Sequence, residues 1–398
     1  MCAYNDYIVE KAIKLLHSGN FSECENHIEK EIINNNEFPE KDKMMGYLIK
    51  TDVLLAKGNR NEARNLVEKF TIHKDIWNSQ PLRVKFFRTL NYFTPKYRLR
   101  TMELHNPISL PYFNMMNSSL VKHPIHANRM LCMVRAVNYL KKDKQIIPSD
   151  PSVKLIQSKN FIFDIDVNFK VYFSKEINDL SVWPRYYQHP FHGYEDARLF
   201  IYKGALYCTA TNCLLNQSFL PSMVLCKFDE NYNIVNCIPL RCQHPNEIQK
   251  NWLPFVNDNK LYVIYRVSPF IINEIDLSTG DYKEIINKPL LNSEFPIVRG
   301  SSAPIPYNKG WLFMVHFVNY DSINEDTYYT RFIYMNKKFT PTKMSNTFYL
   351  DNAGYEYISG LLNMNNQFFF SYSTQDRVSK LGTISSVVLE NQLIWSDL

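Results

Sequence analysis

The 398-residue chain contains no window approaching eighteen uninterrupted apolar residues, so no membrane-spanning helix is expected. Asp6, Glu10 and Lys11 interrupt the N-terminal stretch, which therefore does not read as a secretion signal. A cytoplasmic location is the resulting expectation. The eight cysteines, at positions 2, 24, 132, 208, 213, 226, 237 and 242, are scattered, and several sit inside apolar runs. Free buried thiols fit that pattern better than a disulfide framework. Metal-ligand sets are incomplete. His123 with His126, and Cys237, Cys242 with His244, have ligand-like spacing, but neither set has a fourth member, so no metal is expected. The phosphate loop of nucleotide hydrolases, the dinucleotide fingerprint and the nucleophile elbow are all missing. No zinc-finger pattern or strong single-strand binding motif points to nucleic acid.

Hydrophobic residues make up 45% of the chain and charged residues 21%, the balance of a soluble globular protein long enough for two or three domains. Aromatics reach 14%. They favour strands and a ring-lined cleft, although core packing and composition bias explain most of them. The formal charge is only +6. Arg83, Lys85, Arg88, Lys96, Arg98 and Arg100 occur with no acid between them and are enough to account for it. A solvated face between domains is the preferred reading of that segment; the alternative is a site for an acidic partner, a membrane surface or nucleic acid.

The first seventy residues have a helical period. Val9, Ala12, Ile13 and Leu16 recur at helical spacing, and Cys24, Ile28 and Ile32 stand four apart. Leu15-Leu16 precedes Gly19-Asn20, and Leu54-Leu55 precedes Gly58-Asn59, so one L-L-x-x-G-N passage occurs twice. Each codes a helix, a tight turn and a second helix. The pair resembles tetratricopeptide-like helical hairpins, which implies a surface for a protein partner or self-association. The alternative is a helical layer packed on the main domain.

Near Pro95 the character changes. Short runs rich in Tyr, Phe, Ile and Val follow, among them M-L-C-M-V-R-A-V (130–137), L-Y-V-I-Y-R-V (261–267) and W-L-F-M-V-H-F-V (311–318), separated by Asn, Asp, Gly and Pro. Such strands and turns indicate an all-β domain. A polar pair followed by an apolar strand recurs at 117–135, 193–211, 250–266, 300–316 and 354–373. That longer period predicts a five-bladed β-propeller over residues 101–398, preceded by an all-α domain and basic linker over residues 1–100. The inner strand of each blade is expected to carry polar side chains to a central funnel.

The word H-G-Y-E-D-A-R-L-F (192–200) places Glu195, Asp196 and Arg198 beside an apolar strand. Charges there are costly unless paired or used. Strand alternation puts Glu195 and Asp196 on opposite faces, with Arg198 beside Asp196. Asp196 is the leading candidate for binding or deprotonating a sugar hydroxyl; a structural salt bridge is the competing explanation. Arg135, Lys250, Arg266, Arg299 and His316 recur at blade edges, and cations converging on one funnel imply phosphate or diphosphate. Gly300 is expected to let Ser301 and Ser302 approach the anion. Tyr194, Trp252, Tyr265 and Tyr355 are candidates for stacking on sugar rings, and Asn117, Glu356 and Asp376 for binding hydroxyls.

These words carry a family resemblance. E-D-A-R resembles the E-D-P-R motif of the β-mannoside phosphorylases, a clan of five-bladed propellers that includes glycosidases and β-mannosyltransferases. The resemblance spans about residues 108–390 and is supported by K-N-W-L-P-F, R-G-S-S-A-P-I and G-Y-E-Y-I-S-G. It implies that Asp196 is the catalytic acid, working with inversion through a substrate hydroxyl, and that Arg135, Lys250, Arg299 and His316 hold phosphate. Ala197 stands where proline is usual, and R-G-S-S is not a typical phosphorylase word. Three readings follow. The first is a glycosyltransferase-like enzyme using a sugar phosphate or nucleotide sugar and a carbohydrate or glycosylated acceptor, with no further cofactor. The second is an inverting β-mannoside phosphorylase or glycosidase. The third is a non-catalytic glycan-binding or scaffold propeller.

Overall fold

The computed structural model describes residues 2–70, 82, 85, 86, 89, 90, 93–107, 110–142, 145–153, 155–179, 191–214, 220–290, 298–319, 327–351 and 354–398. The chain separates into two compact units, one within residues 1–95 and one within residues 96–398.

The first unit holds α1 (Cys2–His17), α2 (Phe21–Ile28), α3 (Glu40–Ala56) and α4 (Arg60–Phe70). Gly19 and Gly58 make the two expected turns with φ of 78° and 82°, a conformation that penalises a Cβ. Cys24, Ile28 and Ile32 are all fully buried. Residues four apart drift around an α-helix of about 3.6 residues per turn. A π-helical turn at Glu29–Ile33 widens the spiral and helps hold Ile32 on the buried side. Lys96, Arg98 and Arg100 are exposed, as a solvated face requires, and part of the basic segment also pairs locally. Lys85 pairs with Asp52 inside this unit. Within the second unit, Lys96 pairs with Asp351, and Arg100 donates to the Val167 carbonyl. Arg83 and Arg88 lie outside the described residues.

The second unit is a five-bladed β-propeller. Blade I is β2 (Asn114–Lys122), β3 (Arg129–Val137), β6 (Ile156–Asp166) and β7 (Val171–Glu176). A side hairpin, β4 (Tyr139–Lys142) with β5 (Gln145–Pro148), branches from it, and β8 (Phe191–His192) pairs with β6. Blade II runs β9 (Glu195–Tyr202), β10 (Ala205–Asn212), β11 (Ser222–Phe228) and β12 (Ile234–Pro239). Blade III is β13 (Leu253–Asn257), β14 (Lys260–Arg266), β15 (Phe270–Ile275) and β16 (Tyr282–Lys288). In blade IV, β17 (Arg299–Gly300) and β18 (Ile305–Tyr307) share the inner edge of β19 (Gly310–Asn319), followed by β20 (Thr327–Asn336) and β21 (Pro341–Ser345). Blade V is β22 (Glu356–Met364), β23 (Gln367–Thr374), β24 (Val378–Ser385) and, from the other end of the unit, β1 (Arg100–Leu104). A short helix, α5 (Ser386–Gln392), leads to β25 (Trp395–Asp397), which adds to blade IV. α5 falls in a region whose short apolar runs predict strands alone.

The apolar words are near-continuous because middle strands are covered on both faces. In β19, Leu312 to Val318 are all at most 3% exposed. Successive side chains enter the layers on either side of their sheet. One layer joins Leu312, Met314 and Phe332 of blade IV to Ile358 and Phe370 of blade V. Another joins Leu131 and Ile162 of blade I to Leu199 and Cys226 of blade II. Cys24, Cys132, Cys208, Cys213, Cys226, Cys237 and Cys242 are free thiols. The first strand of each blade lies at its inner edge, and these strands neighbour one another around the axis: β2 beside β9 and β22, and β9 beside β13.

Candidate functional site

The site is built on irregularities in those inner strands. The β2–β3 register slips at Asn117, and the β9–β10 register slips opposite Asp196 and Ala197. Asn117 and Asp196 both have positive φ, 43° and 51°, as does Asn251 at 60° just before β13. A bulge with a left-handed residue re-aims a side chain out of the regular alternation. This corrects the expectation that Glu195 and Asp196 point to opposite faces. Both meet the same guanidinium. Arg135 Nη1 lies 3.2 Å from Asp196 Oδ1, and Nη2 lies 3.3 Å from Glu195 Oε1. Ser158 Oγ accepts from Arg135 Nε at 2.8 Å and holds the fork in place. Lys250 closes the cluster at 3.0 Å from Glu195 Oε2.

Asp196 Oδ1 also accepts from Asn117 Nδ2 at 2.8 Å, and Asn117 is aimed by the Ser373 hydroxyl, 2.8 Å from its Oδ1. Oδ2 of Asp196 accepts no hydrogen bond from any described residue. Burial alone would raise this carboxyl, but Arg135 first, then Lys250, Arg198 and the Asn117 bond, pull it down to about 2. Asp196 is therefore a carboxylate with one oxygen fixed and the other without a donor among the described residues. Asp376, at the turn after β23, is the opposite case. Burial and the Asp196 charge raise it to about 6, against the Tyr355 hydrogen bond and the Arg135 and Lys141 charges.

Arg198 does not pair with the Asp196 carboxylate through a hydrogen bond. It is 1% exposed and crosses the axis as a strut. Its Nε donates to the Ser301 carbonyl of the blade IV inner edge at 2.7 Å, and its Nη2 to the Tyr357 hydroxyl of blade V at 2.5 Å. Tyr357 passes the chain on to Asn251 Oδ1 at 3.0 Å. Nη1 meets the backbone carbonyl of Asp196 at 2.8 Å. Arg198 thus fixes the Asp196 main chain and ties three other blades to it.

His316 Nδ1 lies 2.9 Å from Ser301 Oγ, and the ring stacks on Tyr328 at 5.4 Å. Burial, then the positive charges of Arg299 and Arg198, lower it to about 3. It is a neutral imidazole and offers a hydrogen bond, not the charge with which the sequence reading credited it. Ser302 Oγ accepts the Met314 amide at 2.9 Å. A Cβ on Gly300 would come within 2.7 Å of the Asn251 carbonyl and the Leu253 side chain. Gly300 therefore serves the close approach of blades III and IV, and both serine hydroxyls have partners inside the protein.

Lys250, Asn251, Tyr265, Arg266 and Arg299 line one cavity of about 530 Å³, joined to the carboxylate cluster through Lys250. Arg266 also pairs with Glu247. Other expected residues are placed in packing or structural positions. Trp252 is 1% exposed and packs edge-on to Tyr265 at 5.0 Å. Tyr194 is buried in the layer between blades I and II. Glu356 accepts the Leu350 and Asp351 amides at 2.8 and 2.7 Å and so binds backbone. Tyr355 lies at the site, with its hydroxyl 3.3 Å from that of Tyr328 and Lys141 Nζ 4.7 Å above its ring. Asn251, Tyr357, Tyr328 and Lys141 join the site without a signal of their own in the sequence. Asn251 and Tyr357 lie inside words already singled out, but only the bulged strands reveal which letters turn inward. Among the described residues, no three His, Cys, Asp or Glu side chains are grouped to hold a metal.

No family model and no curated protein matches the chain. Solved structures do. A protein of Parabacteroides distasonis named as a glycoside hydrolase is 11% identical, with a TM-score of 0.51 over 72% of this chain and 96% of the other. A protein of Bacteroides thetaiotaomicron named as a glycosidase is 12% identical, with a TM-score of 0.51 over 69% and 87%. A third structure, from the GH130 family of mannoside phosphorylases, described as containing glycoside hydrolases that target β-1,2 mannosidic linkages in Candida mannan, is 12% identical, with a TM-score of 0.50 over 71% and 89%. At these identities the likeness is one of fold.

Proposed function

We propose that the propeller is an inverting carbohydrate-active enzyme that exchanges a glycosyl group between phosphate and a sugar hydroxyl, most simply a β-mannoside phosphorylase. The observation that carries this reading is the Asp196 carboxylate, whose Oδ2 has no donor among the described residues, beside a cavity lined by Lys250, Arg266 and Arg299. In the synthetic direction, Oδ2 of Asp196 accepts a proton from the attacking hydroxyl, directly or through a ring hydroxyl of the sugar. The hydroxyl oxygen bonds to the anomeric carbon as the bond to the phosphate oxygen breaks on the opposite face. Phosphate departs into the cationic cavity, where charge stabilises it. Phosphorolysis is the same path reversed, with Asp196 returning the proton. A phosphate anion held among the same cations offsets their pull on Asp196 and raises its proton affinity, which prepares the acid form for that direction. The mannoside preference rests on the sequence resemblance and on the family of one structural neighbour.

Transfer from a nucleotide sugar is the second reading. The size of the cation-lined cavity, about 530 Å³, favours it, because that is far more room than a single phosphate needs. The discriminating experiment incubates the full chain with mannose 1-phosphate or nucleotide sugars and a panel of sugar acceptors, and separately with β-mannosides and inorganic phosphate. Phosphate release or uptake in step with glycoside formation or loss supports the first reading, and nucleoside diphosphate release supports the second. Equal turnover by the native protein and Asp196→Asn would remove Asp196 from the chemistry.

A further inference from the structure

The five inner strands change character along their length. At the N-terminal ends stand Asn117 and Asp196, with Asn251 just before β13. The next layer is rich in hydrogen-bonded polar groups. Ser119 Oγ accepts the Leu199 amide at 2.8 Å, and the Ser359 and Ser371 hydroxyls both donate to the Ser118 carbonyl at 2.6 Å. Arg198 spans the same layer. Beyond it the strands turn apolar. Leu120, Leu199, Phe255, Ile305 and Leu361 line a second cavity, of about 320 Å³, to which all five blades contribute. Leu120 stands three positions after Asn117, about 10 Å along a strand.

This second cavity differs from the first in chemistry. Its wall is made of leucine, isoleucine, valine, phenylalanine and proline side chains, with Trp311, and its one charged member is Lys122. Lys122 makes no ion pair with any described residue, and its end of β2 is exposed. Val121, Ile201 and Val256, at the ends of three inner strands, are only half buried. Apolar surface left open in a concave site marks a ligand, because leaving it wet forgoes burial. A sugar is a poor occupant, since Asn363 is the only neutral polar side chain in the lining. A cavity of about 150 Å³ with such a lining stays dry and takes benzene. Twice that volume suits a single alkyl chain on the order of eight carbons.

We propose that the axial cavity at the C-terminal ends of the inner strands binds a single-chain anionic amphiphile, with its alkyl chain among Leu120, Leu199, Phe255 and Leu361 and its head group at Lys122. The site is separate from the Asp196 cluster and does not depend on the function proposed for it. Charge complementarity at the mouth selects the anionic head, and the polar layer of serines and Arg198 limits the chain length.

The test is calorimetric titration of the full chain with octanoate, octyl phosphate and octanol. Saturable binding of one equivalent of octanoate or octyl phosphate is expected. Lys122→Ala should weaken both about tenfold and leave octanol unchanged. Ala303→Leu, which adds bulk to the cavity wall, should abolish binding of all three while the circular dichroism spectrum and melting temperature stay native. A preference for only one of the two anions identifies the head group. The proposal is overturned if no probe saturates, if Lys122→Ala leaves the anions unaffected, or if natively folded Ala303→Leu binds as tightly as the native chain.

Discussion

The two ends of the central axis use the same five strands and obey opposite rules. At the apolar end the register of β2 and β9 runs unbroken past Ser118 and Arg198, and Leu120 and Leu199 enter from regular, buried stretches of strand. At the polar end regularity fails, and two of the polar side chains stand on bulges with positive φ. Packing tolerates ordinary geometry. Bringing two carboxylates to one guanidinium does not, and the backbone must bend to do it. The energy stored in the bend is offset by a network in which Asn117, Arg135, Ser158 and Ser373 each hold the next group.

The sharpest way to break this contrast is to remove chemistry from the polar end without disturbing its shape. Asp196→Asn keeps the volume and should lower turnover about a thousandfold, as measured by phosphate release from sugar phosphates, while the melting temperature stays within a few degrees. Arg135→Met is expected to act on the fold instead. It leaves Glu195 and Asp196 without their shared cation and should cost about 3 kcal/mol or more in denaturant unfolding. A cost below about 1 kcal/mol would mean that the polar end is not an interlocked network.

pH separates two carboxyls at the polar end. Asp196 is depressed to about 2, so it contributes stability above its unfolded value that is lost as pH falls through 4 towards 2. Its contribution is about 2 kcal/mol. Asp376 is raised to about 6, so its sign is reversed. Its contribution is fully present below its unfolded value and is lost as pH rises through 6. Stability followed by urea unfolding should therefore climb as pH drops from 7 to 5 and decline below 4. Asp376→Asn should flatten the first limb alone. The smallest effect is expected at the rim. Arg266 is already paired with Glu247, and Arg266→Ala should raise the KM for a phosphorylated substrate only a few-fold.

Much of this architecture was legible beforehand. Five polar words at blade-length spacing fall on the inner edges of five blades, because the first strand of a blade must turn from core to axis wherever the chain re-enters. Glycine-asparagine pairs marked the helical turns for a plain steric reason. The site was less legible. Side-chain alternation misassigned Glu195 and Asp196, because a bulge shifts the period by one residue and leaves no composition mark. Arg198 looked like a partner for the Asp196 carboxylate, yet its reach across the axis to Ser301 and Tyr357 depends on residues about 103 and 159 positions away. The neutrality of His316 arises from burial beside Arg299 and Arg198, and no local word encodes that.

Blade V takes β22, β23 and β24 from residues 356–385 and its outer strand from Arg100–Leu104. Thr101 and Gly382 are register partners although most of the unit lies between them. The entropy of bringing such distant segments together must be met before the clasp returns any hydrogen bonds. A nascent chain therefore carries β1 as an unmatched strand edge until the last blade has emerged. Closure falls late, and the clasp adds its hydrogen bonds to the packing of β22 and β23 against β2 that joins blades V and I. Pulling on residue 100 should open blade V first, like a zip, and leave the four other sheets standing for a moment.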